Sequence, residues 1–352
     1  GIGDFYYAPP AGFLALCTQN LPDATVIPSE HFNTVLYTGT GAAQSITTDL
    51  TPDLVWMKPR SEARNHRLVD QLRGNGVLSS NLTDAEAAGG DLVLTSTGFN
   101  LTSGSGNYNG SGNTYAAWNW KAGGAASSNT NGTITSSVSA NVDAGFSIVS
   151  WTGTGAVLTA GHGLSQKPEL IITKDRDGTF QWIVYNVDIG ATGRLILSAT
   201  NADDITSAVF FNNTEPTSTV FTNGTYNNTN GGRNISYCFH SVESYSLVGS
   251  YIGNGSADGP FVHCGFRPAY VMVKVTNVTD SWFINDNKRD SYNVVDEQLK
   301  ANSSDAEATN RGLDFVSNGF KIRDSSTSHN ASGNTYIFLA FAESPFKHTN
   351  AR

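Results

Sequence analysis

The chain has 352 residues, a formal net charge of -9 and only 14% charged side chains, against about 25% in ordinary soluble domains. This negative balance argues against nucleic acid and anionic membrane surfaces, which both need a basic face. No apolar run reaches the roughly 18 residues of a membrane-spanning helix. Aromatic residues make up 11% of the chain, so we expect a packed core rather than disorder.

Residues 1–27 differ from the rest of the chain, because they do not match the repeat that follows. The stretch Phe5–Pro22 looks like the last strand and exit of a different, upstream domain. The chain begins at Gly1, with neither an initiator Met nor a signal-peptide pattern. We therefore expect that it is part of a longer protein.

From residue 28 onward, the sequence repeats three times with a period of about 100 residues. Each repeat has a Pro, an apolar run, a Lys and then a His or Trp at identical spacing: Pro52, Lys58 and His66; Pro168, Lys174 and Trp182; Pro268, Lys274 and Trp282. An aromatic-x-Gly-x-Gly motif precedes each Pro: Tyr37–Gly41, Trp151–Gly155 and Tyr251–Gly255. A Phe and a Tyr follow at one fixed interval: Phe99 and Tyr115, Phe221 and Tyr237, Phe320 and Tyr336. These matches predict a tandem array.

A repeat of this length is long enough to close its own hydrophobic core, so we expect three beads rather than a solenoid. The predicted beads are residues 28–122, 132–243 and 245–345. Residues 123–131 are small and polar and read as a linker, whereas the join near Ser241–Ser246 is tight. Residues 346–352 form the C-terminal tail.

Short stretches of β-branched and aromatic residues between Gly, Asn and Asp turns predict strands almost throughout. The apolar runs that end at the Lys predict strands that are buried on both faces or lie in a sandwich core: Leu54–Lys58, Leu170–Lys174 and Tyr270–Lys274. Closing strands are predicted at Tyr115–Trp120, Tyr237–Phe239 and Tyr336–Phe341. Only Asp84–Ala87 and Asp305–Ala308 suggest single helical turns. The predicted fold is all-β: three tandem antiparallel β-sandwich domains, jelly-roll or concanavalin-like, with very little helix.

The three cysteines do not recur at equivalent positions, so they do not indicate a disulfide framework. We expect Cys17, Cys238 and Cys264 to be buried free thiols, with a Cys238–Cys264 bridge as an alternative that nothing indicates. Glycosylation sequons are frequent, but composition alone produces them in a chain this rich in Asn, Ser and Thr: Asn81, Asn100, Asn131, Asn223, Asn254, Asn277 and Asn330.

The candidate ligand-binding residues are Trp182, Trp282 and His66, which share one place in the three repeats. An exposed aromatic beside Asn or Asp groups could bind a sugar, but the repetition favours a packing role. His162 and His263 lie in turns before a strand, where a structural or surface role is expected. No nucleophile, base and orienting acid recur together, so we expect no enzyme and no catalytic residue.

The candidate metal ligands are Asp175 and Asp177, in a segment that resembles part of a calcium loop. The terminal bidentate Glu of such a loop is missing, so a polar turn is the favoured interpretation and structural calcium the alternative. Asn285–Asp290 is similar. We expect no other cofactor.

The segment Ala8–Pro22 resembles the end of SPRY-like, concanavalin-type domains in tailed-phage virion proteins. The following chain resembles a repeat domain of unknown function found after them, notably in marine and cyanobacterial phages, on the segments His31–Gly41, Pro52–Lys58, Ser80–Glu86, Gly333–Glu343 and Ser344–Lys347. The second repeat departs most, since Asn201–Asp204 and Asn234–Tyr237 replace the Asp-Ala-Glu-Ala and Gly-Asn-Thr-Tyr turns. A ligand site shared through those turns is therefore doubtful there.

This resemblance implies a virion structural protein and no established activity. We expect a non-enzymatic tail fibre, spike or capsid-attached appendage on the virion surface that presents a host-contacting surface. Expected partners are further copies of the chain in a homo-oligomer, other virion proteins and a host surface glycan. The alternatives are a capsid decoration or self-assembling filament protein, a carbohydrate-binding adhesin and, least favoured, a polysaccharide depolymerase.

Overall fold

The computed structural model describes residue 10, residues 26–204 and residues 208–343, without the side chains of residues 310 and 311. Three predictions lie outside the described residues: the end of an upstream domain in most of residues 1–27, the thiol of Cys17 and the C-terminal tail. Among the described residues, strands alternate with turns, and the helical structure is a single 3-10 turn at Pro28–Glu30. The all-β prediction is confirmed.

The first repeat forms two sheets from seven strands. The strands are β1 (Phe32–Thr38), β2 (Gln44–Thr47), β3 (Leu54–Pro59), β4 (Arg67–Asp70), β5 (Leu92–Thr95), β6 (Gly98–Leu101) and β7 (Thr114–Trp120). One sheet has the order β1-β7-β3-β4 and the other has the order β2-β6-β5, with every pair antiparallel.

The second repeat also has two sheets, and its larger sheet has additional strands at both ends compared with that of the first repeat. Its strands are β8 (Ser127–Asn129), β9 (Ser136–Asn141), β10 (Phe146–Thr152), β11 (Leu158–Gly161), β12 (Leu170–Asp175), β13 (Ile183–Asn186), β14 (Leu195–Ile196), β15 (Val220–Asn223) and β16 (Arg233–Phe239). The larger sheet has the order β14-β13-β12-β16-β10-β9-β8, and β11 pairs with β15. Strand β8 lies inside the segment predicted to be a linker. This segment forms a strand because its backbone pairs with β9.

The third repeat forms one eight-stranded sheet. Its strands are β17 (Ser246–Ile252), β18 (Phe261–His263), β19 (Pro268–Val275), β20 (Trp282–Asp286), β21 (Val295–Lys300), β22 (Ala308–Val316), β23 (Gly319–Ile322) and β24 (Thr335–Ala342). The strand order is β17-β24-β19-β20-β21-β22-β23-β18.

The three predicted two-faced strands are β3, β12 and β19, and the prediction is confirmed. In β3, Val55 and Met57 face a cluster made by the first repeat, whereas Leu54 and Trp56 face a second, central cluster. Strands β12 and β19 divide their apolar side chains in the same way. Successive side chains of a strand point to opposite faces, so an uninterrupted apolar run supplies two cores at once.

Each repeat has its own hydrophobic cluster, and a fourth cluster combines all three repeats. This central cluster includes Trp56 and Trp118 from the first repeat, Trp182 from the second, and Tyr270 and Trp282 from the third. We expected each repeat to close its core alone. The second faces of β3, β12 and β19 instead pack together, so the repeats share a core and are not separate hydrophobic units. The predicted domain boundaries stay a prediction.

The single helical turns predicted at Asp84–Ala87 and Asp305–Ala308 do not form. The backbone N–H of Glu86 donates to the carbonyl of Arg176 in the next repeat, and that of Glu307 donates to the carbonyl of Arg60. A bond to a neighbouring repeat takes the amide that a helical turn would use. Tertiary contacts therefore override a weak local helix signal.

The Phe-to-Tyr match at Tyr237 is wrong in register. The strand pairings place Tyr115 and Tyr336 opposite the aromatic residue of the Gly motif, but in the second repeat Asn234 lies opposite Trp151. Tyr237 therefore lies three positions further along its strand, facing the central cluster.

A turn glycine before each closing strand confirms this register. Gly112, Gly231 and Gly333 have φ of 79°, 78° and 77°, a region that favours glycine. The backbone N–H of each donates at 2.9 Å to the carbonyl of the first glycine in the aromatic-x-Gly-x-Gly motif of its repeat. The turn equivalent to Gly-Asn-Thr-Tyr therefore begins at Gly231 and not at Asn234.

Candidate functional site

The three candidate ligand residues are buried between the repeats. Trp182 and His66 have no exposed surface, and Trp282 is 2% exposed. None of them can serve as an exposed platform for a sugar ring, because a stacking ligand needs an open aromatic face. Their repetition reflects packing, which was the favoured alternative.

Each of these side chains forms a hydrogen bond to the neighbouring repeat. The indole N–H of Trp182 donates to the carbonyl of Ser79 at 2.9 Å, and that of Trp282 donates to the carbonyl of Ile196 at 2.8 Å. His66 Nε2 lies 2.9 Å from the carbonyl oxygen of Lys300. The second repeat thus contacts the first, the third contacts the second, and the first contacts the third. We call this closed arrangement the ring.

Backbone hydrogen bonds follow the same cyclic order. In each repeat, one backbone N–H donates to the carbonyl of the residue two places after the repeated Lys of the next repeat. These bonds run from Glu86 to Arg176 at 2.7 Å, from Asp203 to Thr276 at 2.7 Å and from Glu307 to Arg60 at 2.8 Å. The three interfaces are therefore built from equivalent contacts, and the interface between the third and first repeats closes the ring.

The repeated lysines end the central strands and are fully buried. Lys58 and Lys174 donate through Nζ to carbonyls of their own turn, and Lys274 donates to Asp280 of its own repeat and Thr200 of the second. Burial lowers the pKa of each ammonium group to about 8, although nearby carboxylates oppose the shift. Each Lys ties the end of a buried strand to a turn.

Two of the three interfaces contain a buried charge network. At the first, Arg73 contacts Asp70 at 2.5 Å and Glu86 at 3.2 Å, and Glu86 also contacts Arg176 at 2.7 Å. Burial opposes the ionised form of Glu86, but the hydrogen bonds and charges of both arginines lower its pKa overall. Tyr237 of the second repeat donates to Asp70 at 2.7 Å, so the network spans the interface.

The ring-closing interface has the equivalent network. Arg289 contacts Asp286 at 2.6 Å and Glu307 at 2.9 Å, and Arg60 contacts Glu307 at 2.7 Å. The indole N–H of Trp118 donates to Asp286 at 3.0 Å. At the remaining interface the equivalent positions are mostly uncharged: Asn186, Ile189, Asp203 and Thr276.

Sequence reasoning missed these networks, although a signal was present. Asp70 and Arg73 recur as Asp286 and Arg289 at equivalent places, and the Arg two positions after the Lys recurs as Arg60 and Arg176. The second repeat lacks the first pair and the third lacks the Arg. The pattern becomes visible only when donors and acceptors from different repeats are combined.

The candidate metal ligands accept hydrogen bonds from protein donors, although Asp175 Oδ2 is buried without a hydrogen-bond partner among the described residues. Asp175 accepts backbone N–H bonds from Asp177 and Gly178 through Oδ1, at 2.9 and 2.7 Å. Asp177 pairs with Arg233, which holds its pKa below the usual range. This is the geometry of a polar turn. Within the described ranges, no three His, Cys, Asp or Glu side chains come together in a group able to hold a metal ion.

His162 and two of the cysteines lie in structural positions, whereas His263 is exposed at the end of β18. His162 is buried, its Nε2 lies 3.1 Å from the carbonyl of Thr217, and burial lowers its pKa to about 4. Cys238 and Cys264 are free and buried in different clusters, and burial raises both thiol pKa values, that of Cys264 to about 12. The prediction of buried free thiols is confirmed for Cys238 and Cys264, whereas Cys17 lies outside the described residues.

A cleft of about 430 Å³ opens on the second repeat, where strands β8, β9 and β10 lie side by side. Ser128 pairs with Ser137, and Ser137 pairs with Ser150, so three hydroxyl groups form one row across the sheet. Thr152 and Arg233 line the same cleft. This face is polar and largely neutral, because its two arginines, Arg176 and Arg233, are paired with Glu86 and Asp177. No helix in the described part of the chain is long and apolar enough to cross a membrane.

A family model described as a domain of unknown function, DUF7483, matches residues 27–345. The match begins beside the 3-10 turn and ends just after β24, so it spans the whole ring. No curated protein matches the sequence.

Proposed function

The chain belongs to the DUF7483 family, and from this premise we propose that it is a non-enzymatic structural protein of a phage virion. It would be part of a tail fibre, spike or capsid-attached appendage at the virion surface and would present a host-contacting surface. As part of this proposal, each of the three repeats forms a sandwich-like antiparallel domain. Expected partners are other virion proteins, further copies of the chain and a host surface glycan.

The observation that carries the proposal is the use of the repeated polar residues. Lys58, Trp182 and Trp282 are buried and hydrogen-bonded inside the ring. Residues that recur in this way stabilise a shared core and are out of reach of a substrate. A rigid body with short neutral loops suits a protein that spaces or displays a surface, and many copies would turn weak contacts into avidity.

The test is electron microscopy of purified phage particles labelled with an antibody against the chain. Label on tails, spikes or capsid-attached appendages is the expected result, with pre-immune serum as the control. Particles that carry no label, although lysates contain the chain, would contradict the proposal. Label distributed evenly over the capsid would favour the decoration alternative.

A carbohydrate-binding adhesin is the second candidate, and the hydroxyl-lined cleft of the second repeat favours it. Binding would use Ser137, Ser150 and Thr152 rather than the buried tryptophans. A glycan array checks this with Ser137→Ala and Thr152→Val, and exposed Ser256→Ala on the third repeat as the matched control. Unchanged binding in the cleft variants would exclude this cleft.

A further inference from the structure

One buried carboxylate of the second repeat has an oxygen that no protein donor contacts. Asp175 ends β12 and is 1% exposed. Its Oδ1 accepts two backbone N–H bonds, whereas its Oδ2 has no hydrogen-bond partner in the described part of the chain. The buried carboxylates Asp70 and Asp286 differ, because an Arg and an aromatic donor contact each of them. An unpaired oxygen on a buried charge is costly, so Asp175 indicates a ligand.

A second unpaired oxygen faces Asp175 across the sheet. Asn234 on β16 pairs directly with Asp175, so the two side chains lie next to each other on one face. Asn234 has no exposed surface, and within residues 26–204 and 208–343 its Oδ1 also has no hydrogen-bond partner. Its Nδ2 donates to the carbonyl of Gly232 at 3.3 Å, which sets the orientation of the amide. Two acceptors are therefore buried together without a donor.

A backbone carbonyl lies beside this pair. An atom at the Cβ position of Gly232 would lie 3.6 Å from Asp175 Oδ2 and 3.0 Å from the carbonyl oxygen of Thr229. Apart from residues 231–233 themselves, the only closer atom than Asp175 Oδ2 on the Thr229 side chain is Cβ, at 3.2 Å. The glycine thus leaves room for a small ligand between the two oxygens.

The other two repeats place a tyrosine where the second has Asn234. Tyr115 and Tyr336 lie opposite the aromatic residue of the aromatic-x-Gly-x-Gly motif, as Asn234 does in the second repeat. Each tyrosine hydroxyl accepts a backbone N–H from the residue equivalent to Thr229: from Gly110 at 2.7 Å and from Ala331 at 2.8 Å. The second repeat therefore has a shorter amide and a carboxylate where the others have a phenol oxygen.

These oxygens favour a cation over a water molecule. Asp175 Oδ2, Asn234 Oδ1 and the carbonyl of Thr229 are all acceptors, and one water donates only two hydrogen bonds. Calcium binds carboxylate, amide and carbonyl oxygens in a flexible geometry and completes its shell with water. The neighbouring cations do not compensate the charge on Oδ2, because Lys174 donates to backbone carbonyls and Arg233 pairs with Asp177.

We propose that Asp175, Asn234 and the carbonyl of Thr229 bind one calcium ion. The ion joins the end of β12 to β16 and to the turn that precedes β16. It stabilises the folded chain and takes no part in a reaction. This site stands apart from the proposed function, because it depends only on the oxygens of the second repeat.

The test is differential scanning calorimetry of the full chain, stripped with EDTA and then titrated with calcium chloride. Tm should rise with calcium concentration, because an ion that binds only the folded chain stabilises it. Asp175→Asn should weaken calcium binding about tenfold or more, since it removes the charged ligand. Asp177→Asn is the matched control and should leave the response intact, because that carboxylate pairs with Arg233. Equal Tm values in EDTA and calcium, or equal responses of both variants, would overturn the proposal.

A second variant keeps the test decisive if Asp175→Asn does not fold. Asn234→Tyr introduces the residue that the other repeats have at this position. Its hydroxyl should replace the ion, so the variant should fold and lose the calcium response. An Asn234→Tyr chain that keeps the full response would contradict the assignment.

Terbium luminescence locates the ion on the chain. Terbium occupies calcium sites and emits when a nearby indole is excited, and Trp151 lies directly opposite Asn234. We expect emission that calcium displaces and that Trp151→Phe strongly reduces. Emission unchanged by Trp151→Phe would place the ion elsewhere. Magnesium should compete at least about tenfold more weakly than calcium, since it demands a stricter octahedral geometry, and equal competition would contradict the choice of calcium.

Discussion

Replacing Arg60 by Ala tests whether the ring is closed in solution. Arg60 belongs to the first repeat and donates to both carboxylate oxygens of Glu307 at 2.7–3.1 Å and to Glu297 at 2.6 Å, both in the third repeat. The side chains of Arg60 and Glu307 are 17% and 12% exposed, so water replaces these bonds poorly. The matched control is Arg64, which among the described residues pairs only with nearby Glu62, at about 40% exposure.

The expected cost follows from burial. Removing one partner of a fully buried ion pair costs about 3–5 kcal/mol, and a charged hydrogen bond contributes about 1.5–3 kcal/mol. Glu307 keeps its contact with Arg289 at 2.9 Å, so we expect a loss of about 2 kcal/mol for Arg60→Ala. Exposed pairs contribute about 0–1 kcal/mol, so Arg64→Ala should be nearly neutral.

Differential scanning calorimetry and urea unfolding measure both variants. If the ring unfolds as one unit of 352 residues, its unfolding entropy is about 0.7 kcal/mol per kelvin, so 2 kcal/mol lowers Tm by about 3 °C. A Tm shift for Arg60→Ala no larger than that for Arg64→Ala would refute ring closure. Separate transitions for the three repeats would refute the shared core.

Three further predictions concern the ring. Trp182→Phe leaves the carbonyl of Ser79 without its donor and should lower the free energy of unfolding in urea by about 1–3 kcal/mol. Trp182→Ala should lower it further, because this variant also opens a cavity. An unchanged free energy of unfolding for Trp182→Phe would show that the hydrogen bond is irrelevant. The pKa of Lys58, Lys174 and Lys274 is about 8 in the folded chain and higher in the unfolded chain. The unfolded chain therefore binds more protons above pH 8, and the free energy of unfolding should rise from pH 8 towards pH 10. Above pH 10, the raised pKa values of buried tyrosines reverse this trend. Lys174→Met should flatten the rise in urea midpoints, and an unchanged slope would contradict this source. In a Cys17→Ser chain, Cys238 and Cys264 should react with a thiol reagent only at the rate of unfolding, since both are buried with raised pKa values. Rapid labelling of either thiol in this native chain would contradict its burial.

The sequence alone determined the strand content, the repeat and the two-faced central strands. Leu54–Lys58 and its counterparts are apolar at every position, a local pattern that indicates burial on both sides without naming the second partner. The free thiols of Cys238 and Cys264 were predictable because the cysteines do not recur at equivalent places in the repeats. The repetition of Trp182 and Trp282 also indicated packing before any contact was known.

What covers the second face of β3, β12 and β19 followed from the tertiary structure alone. The central cluster, the hydrogen bond from Trp282 to Ile196 and the pairing of Arg60 with Glu307 all join residues that are far apart in sequence. Local spacing carries no information about such pairs, which is why we expected separate beads and aligned Tyr237 by interval instead of by strand register. Whether a repeat stands alone or closes a ring depends on the free energy of packing apolar faces from different repeats, a property of the assembled surfaces and not of any one segment.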